Sequence, residues 1–132
     1  MLEIQEKFDT VGYEELVAAA NGRKLHITEA MDGGRAVGFI AYSYEGDHTV
    51  VYDYSDMGDL MLCDGLVRSV MFKSVLKGIE TMVFEIADES KFGNLKKLRF
   101  LIGDGNVCED LNSFMNACES CKNKNTSSKN ID

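Results

Sequence analysis

Asp53, Tyr54 and Asp56 stand together just ahead of the longest helical pattern in the chain. A carboxylate at a strand end can take a proton from an amine, and a phenol can protonate a leaving group, so these three are the candidates for general acid–base work. A solvated strand terminus or a helix cap explains the same carboxylates more simply. Cys63 falls near the start of the helical pattern, where a helix N-terminus could lower a thiol pKa, although a small residue on the apolar stripe fits equally. Cys118-Glu119-Ser120-Cys121, with Cys108 ahead of it, has the spacing at which thiolates share a metal or form a redox pair. A structural zinc takes four ligands, and this end of the chain offers three cysteines and no histidine. His26 and His48 are isolated from each other and from these cysteines.

Several elements must position these groups. Leu60, Cys63, Leu66, Val67, Val70, Met71 and Val75 recur at helical spacing, and Lys73 and Lys77 sit towards the end where the helix dipole is negative. Gly78 follows as a stop, since glycine readily takes the left-handed conformation of a helix C-terminus. Asp59 is suited to cap the other end. The run from Thr81 to Ile86 reads as a buried strand, so the helix joins two parallel strands by a crossover.

Ahead of it, Asp32-Gly33-Gly34 predicts a hairpin between Leu25–Met31 and Arg35–Tyr44, and Glu45-Gly46-Asp47 predicts the turn into His48–Tyr54. Strand periodicity places Tyr42 with Tyr44 on one face, and Tyr52 with Tyr54 on one face, to line a ligand cleft or to pair across a homodimer interface. Leu2, Ile4 and Phe8 suit a short first strand, and Tyr13–Ala20 a helix with acids at its positive end. Downstream, Asp88 caps a second helix through Phe92, Leu95 and Leu98. Phe100–Ile102 then reads as a last strand, and Val107, Leu111, Phe114 and Met115 as a last helix.

These segments, in this order, resemble the GNAT acetyltransferase superfamily. Gly34-Arg35-Ala36-Val37-Gly38-Phe39-Ile40 is similar to that family's early G-x-x-x-G-F-I strand. The helix ending Lys77-Gly78-Ile79 with the strand Met82–Ile86 is similar to its crossover, and Lys97-Leu98-Arg99-Phe100 to its K-L-G-F segment. The resemblance spans roughly residues 25 to 102. It implies a mixed, mostly antiparallel α/β (α+β) sheet with a central β-α-β crossover. It also implies acetyl-CoA as cofactor, its pyrophosphate held by backbone N–H groups at a turn that feeds the crossover helix.

Those amides fall within Gly58, Asp59, Leu60, Met61, Leu62 and Cys63. The family's turn carries glycine or alanine where this chain has Met61 and Cys63, and Asp59 and Asp64 add negative charge beside the site. The family's proton-donating tyrosine corresponds to a position near Leu95. Two functions therefore remain open: acetyl-CoA-dependent N-acetylation of a small-molecule or protein amine, or a catalytically inactive module of the same fold that binds a ligand or regulates. A metal or redox role for Cys108, Cys118 and Cys121 is a third.

Composition narrows the partners. A chain of 132 residues with 45% hydrophobic and 27% charged residues suits one domain, here 1–121, with 122–132 as a polar tail. A net charge of -8 opposes a phosphate backbone, so nucleic acid is not expected as a partner. No apolar run approaches the roughly 20 residues of a membrane span, and Met1–Glu6 lacks a secretory pattern, which places the protein in the cytoplasm, where the four cysteines are expected as free thiols, redox sites or metal ligands and not as structural disulfides.

Overall fold

The computed structural model describes residues 2–120, with side chains through 115. Six strands form one sheet in the order β1 to β6: β1 (Leu2–Lys7), β2 (His26–Asp32), β3 (Arg35–Tyr44), β4 (Thr49–Ser55), β5 (Thr81–Phe84) and β6 (Val107–Glu109). All neighbours are antiparallel except β4 and β5, which are joined by α2 (Leu60–Leu76). This is the crossover that the helical stripe and the Gly78 stop predict, and Gly78 does adopt a positive φ of 81°.

Helices cover both faces. α2, α3 (Phe92–Lys97) and α4 (Leu111–Ser120) enclose the larger core with Tyr42, Val51, Tyr54, Met82 and Phe84. The short α1 (Glu14–Ala19) covers a smaller core of Leu25, Ile27, Ala41, Val50 and Tyr52. Apolar positions from both sides of the sheet are thereby removed from water, the main source of stability in a domain of this size.

Strand β4 departs from simple alternation. Ala41 pairs with Asp53 and Tyr42 with Val51, so Tyr52 is an extra residue on β4. Such a bulge shifts the side-chain phase by one. Tyr52 packs with Val50 in the smaller core, whereas Tyr54 packs with Val51 in the larger one. The expectation that Tyr52 and Tyr54 share a face is therefore wrong.

The final third also differs from expectation. Phe100–Ile102 is not a strand: Arg99 takes a φ of 69°, and the Phe100 amide donates back to the Leu95 carbonyl at 3.0 Å. That closure ends α3 and turns Phe100 and Leu101 into the core. The last strand is Val107–Glu109, where Cys108 pairs with Met82, and α4 begins only at Leu111. Short apolar runs do not distinguish a strand from a buried helix end, which is why the two were exchanged.

Candidate functional site

The parallel pair β4 and β5 interrupts the antiparallel order of the described strands, and the crevice beyond the carboxyl ends of parallel strands is a common place for a ligand. Pairing stops after Val51–Phe84, with one further bond from the Glu85 amide to the Val51 carbonyl at 2.8 Å. Beyond it, β4 continues to Ser55 while the other chain turns away into a 3₁₀ turn, Glu89–Lys91, and α3.

The turn from β4 into α2 is held by its own carboxylates. Asp59 caps the helix as its position predicts, its Oδ1 accepting from the Met61 amide at 3.0 Å and the Leu62 amide at 3.4 Å. Asp56 Oδ1 accepts from the Gly58 amide at 2.9 Å, and the Asp56 carbonyl accepts from the Asp59 amide at 2.8 Å. The Cys63 amide bonds within the helix, to the Asp59 carbonyl. Of the six residues proposed to offer amides to a cofactor, five therefore have theirs engaged by this chain. Met57 and Gly58 take successive positive φ values of 53° and 78°, which folds the turn tightly onto the cap. A pyrophosphate would have to displace one carboxylate and approach a second, so these residues do not fit it.

The crevice itself is spanned by Lys91. Its Nζ donates to Asp53 Oδ1 at 2.6 Å and to the Tyr54 carbonyl at 2.7 Å, and the Tyr54 hydroxyl donates to the Lys91 carbonyl at 2.6 Å. Asn94 adds a bond to Asp56 Oδ2 at 2.9 Å. Burial, and then the neighbouring Cys63, push the Tyr54 phenol well above its ordinary pKa, so the hydroxyl keeps its proton and spends it on a carbonyl. Leu95 is fully buried and belongs to the same larger core.

The three candidate acid–base residues thus lie together at the end of β4 but serve different surroundings. Asp53 is paired with Lys91, Tyr54 is packed into the core, and Asp56 is nearly buried as a turn cap. Lys91 and Asn94 were not anticipated. Their signal in the sequence is only the Asp88 cap, which fixes where the 3₁₀ turn begins and so where Lys91 projects.

The cysteines are placed as core residues. Cys63 is inaccessible and its thiol is pushed up to about 12 by burial, and Cys108, also buried, is raised to about 11. Thiols of this kind carry no thiolate near neutrality. Among the described residues no group of three histidine, cysteine or acidic side chains is arranged to hold a metal. The side chain of Cys118 and the whole of Cys121 lie outside the described residues, as does the polar segment 122–132.

On the opposite face of the sheet, Asp53 also borders a cavity of about 410 Å³ lined by Tyr13, Glu14, Glu15 and Phe39. The rings of Tyr13 and Phe39 lie 5.0 Å apart, and the Tyr13 hydroxyl donates to Glu29 at 2.7 Å. Aromatic faces beside carboxylates suit a cation. His48 binds its neighbour Asp47 at 2.7 Å in an exposed turn and His26 stacks on Tyr42 at 5.6 Å, and neither lines this cavity.

No protein-family model matches the sequence, and no curated protein matches it. Solved structures do match in shape. The ribosomal-protein-S18-alanine N-acetyltransferase from Escherichia coli superposes with a TM-score of 0.61 at 12% identity, covering 83% of this chain and 94% of that one. A KacTA–DNA complex gives 0.62 at 18% identity over 91% and 99%. A GNAT family acetyltransferase from Elizabethkingia anophelis with acetyl-CoA bound gives 0.59 at 14% identity over 78% of each. These likenesses give the chain the GNAT fold.

Proposed function

We propose that this chain is a binding or regulatory module built on the GNAT fold, in which the acyl-CoA site is replaced by internal contacts. The observation that carries this reading is the Asp59 carboxylate on the Met61 and Leu62 amides, where the cofactor's anion would have to sit. The ligand class we assign is a small cationic amine, because the cavity bordered by Tyr13, Phe39, Glu14, Glu15 and Asp53 joins aromatic faces to negative charge. Free buried thiols at Cys63 and Cys108 suit a reducing, cytoplasmic setting. The test is thermal stability with acetyl-CoA and, separately, with spermidine. A ligand specific to the folded state must raise stability, so acetyl-CoA at about 1 mM should leave the melting temperature unchanged while the amine raises it. Stabilisation by acetyl-CoA alone would overturn the reading.

A second reading is N-acetylation of an amine after the Lys91 bridge opens. It is favoured by the likeness to an acetyltransferase that holds acetyl-CoA, and by the retained separation of β4 from β5 beyond Val51. It requires that Lys91→Ala gain acetyl-CoA binding, measured by calorimetry.

A further inference from the structure

Strand β1 has an open edge. Among the described residues it pairs only with β2, so alternate backbone N–H and C=O groups of Leu2–Lys7 face away from the sheet. Ordinary edges are protected by charge or by brevity. This one is six residues long and mixes Glu3, Glu6 and Lys7 with Leu2 at 52% exposure, Ile4 at 39% and, just beyond it, Phe8 at 94%.

The even-numbered side chains turn towards α2: Glu6 accepts from Lys73 at 3.3 Å, and the Ile4 Cδ1 would lie 3.2 Å from a methyl group placed on Gly65. Phe72, beside Lys73 on that helix, is 55% exposed. The edge and the flank of α2 thus present one partly apolar surface, with Glu3, Gln5 and Lys7 on the other face of the strand.

We propose that β1 pairs with β1 of a second copy of this chain, antiparallel about a two-fold axis through Gln5, to form a continuous twelve-stranded sheet. Only registers that oppose residues of the same face are allowed, because successive side chains alternate. The axis through Gln5 sets Glu3 against Lys7 of the second copy and Ile4 against Glu6, each twice by symmetry, and Leu2 against Phe8. An axis through Ile4 sets Glu3 against Gln5 and makes no ion pair. An axis through Glu6 sets that acid against its own copy. Opposite charges across a strand pair stabilise it and like charges weaken it, so the Gln5 register is selected.

The experiment is sedimentation equilibrium of the full chain from micromolar to several hundred micromolar, at low salt. The expected result is a concentration-dependent approach to twice 14.7 kDa. Glu3→Lys alone and Lys7→Glu alone should each weaken association about tenfold, since each turns both ion pairs into repulsions. The double variant E3K/K7E should recover the wild-type association. Glu3 is exposed, whereas Lys7 is half-buried and already paired with Asp9 at 2.7 Å, an ion pair it would share with Glu3 of the second copy, so circular dichroism confirms that each variant is folded before it is weighed. A wild-type chain that remains monomeric overturns the proposal, as does association that survives either single swap or that the double swap fails to restore. Loss of association on removing residues 121–132, with no response to the swaps, would give the edge to another occupant and overturn it as well.

Discussion

Lys91 and Tyr54 hold each other in both directions: the Tyr54 hydroxyl donates to the Lys91 carbonyl, and the Lys91 ammonium donates to the Tyr54 carbonyl, at 2.6 and 2.7 Å. The pair joins the end of β4 to the 3₁₀ turn across the only parallel junction among the described strands. Replacing Lys91 by alanine leaves Asp53 and the Tyr54 carbonyl without that donor. Hydrogen bonds to charged groups contribute about 2 kcal/mol, so Lys91→Ala should lower stability by about that much in urea denaturation. On the proposed function it still gains no affinity for acetyl-CoA, because the Asp59 cap remains.

The cap can be tested independently. Asp59→Ala removes the acceptor for two helix amides and should cost about 1 kcal/mol, whereas Asp59→Asn keeps an acceptor and should change stability by only a few tenths. Chemical denaturation of both variants checks this. An equal loss for the two would mean that charge at the α2 N-terminus, and not the hydrogen bonds, is what Asp59 supplies.

Gly38 lies where β3 passes under α2. A Cβ added there would meet the Ser55 carbonyl oxygen at 2.7 Å and Leu62 Cδ2 at 3.1 Å. The carbonyl belongs to the backbone of the neighbouring strand and cannot rotate away, so Gly38→Ala should destabilise by about 2 kcal/mol, the cost of overpacking a close contact. The glycine in the G-F-I motif is therefore explained by space, since no positive φ is required of it. Thermal melting of the variant provides the measurement.

The buried thiols predict a response to alkali. Both Cys63 and Cys108 are raised in the folded state above the ordinary 9.0, to about 12 and about 11. The unfolded chain loses these protons first, so stability is full below about pH 9 and falls as pH rises from 9 towards 11 or 12. Urea midpoints between pH 7 and 11 should decline accordingly. In native protein at pH 8, iodoacetamide followed by peptide mapping should leave Cys63 and Cys108 unmodified.

Much of the frame was legible in the residues themselves. The α2 stripe, its Asp59 cap and Gly78 stop, and the Asp32-Gly33-Gly34 hairpin are local signals with local causes, and each produces the element it predicts. The site was legible only as a place. Asp53, Tyr54 and Asp56 do gather at the end of β4, yet what each one does is decided by Lys91 and Asn94, which reach it from 38 residues away in the case of Asp53 and Asp56. No short-range pattern encodes such a partner. The exchange of strand for loop at Phe100–Ile102 has the same origin, because the positive φ of Arg99 answers to tertiary packing and not to its residue type.

The extra residue at Tyr52 has an implication for how this chain can change over time. A strand with strict alternation tolerates substitution position by position, but β4 holds two opposite phases joined at a single point. Loss of one residue there would transpose Asp53, Tyr54 and Asp56 together, moving the Lys91 contacts and the turn cap in one event. The phase of this junction is therefore set by residue count, so insertion or deletion moves all three side chains at once whereas a single substitution moves none of the others.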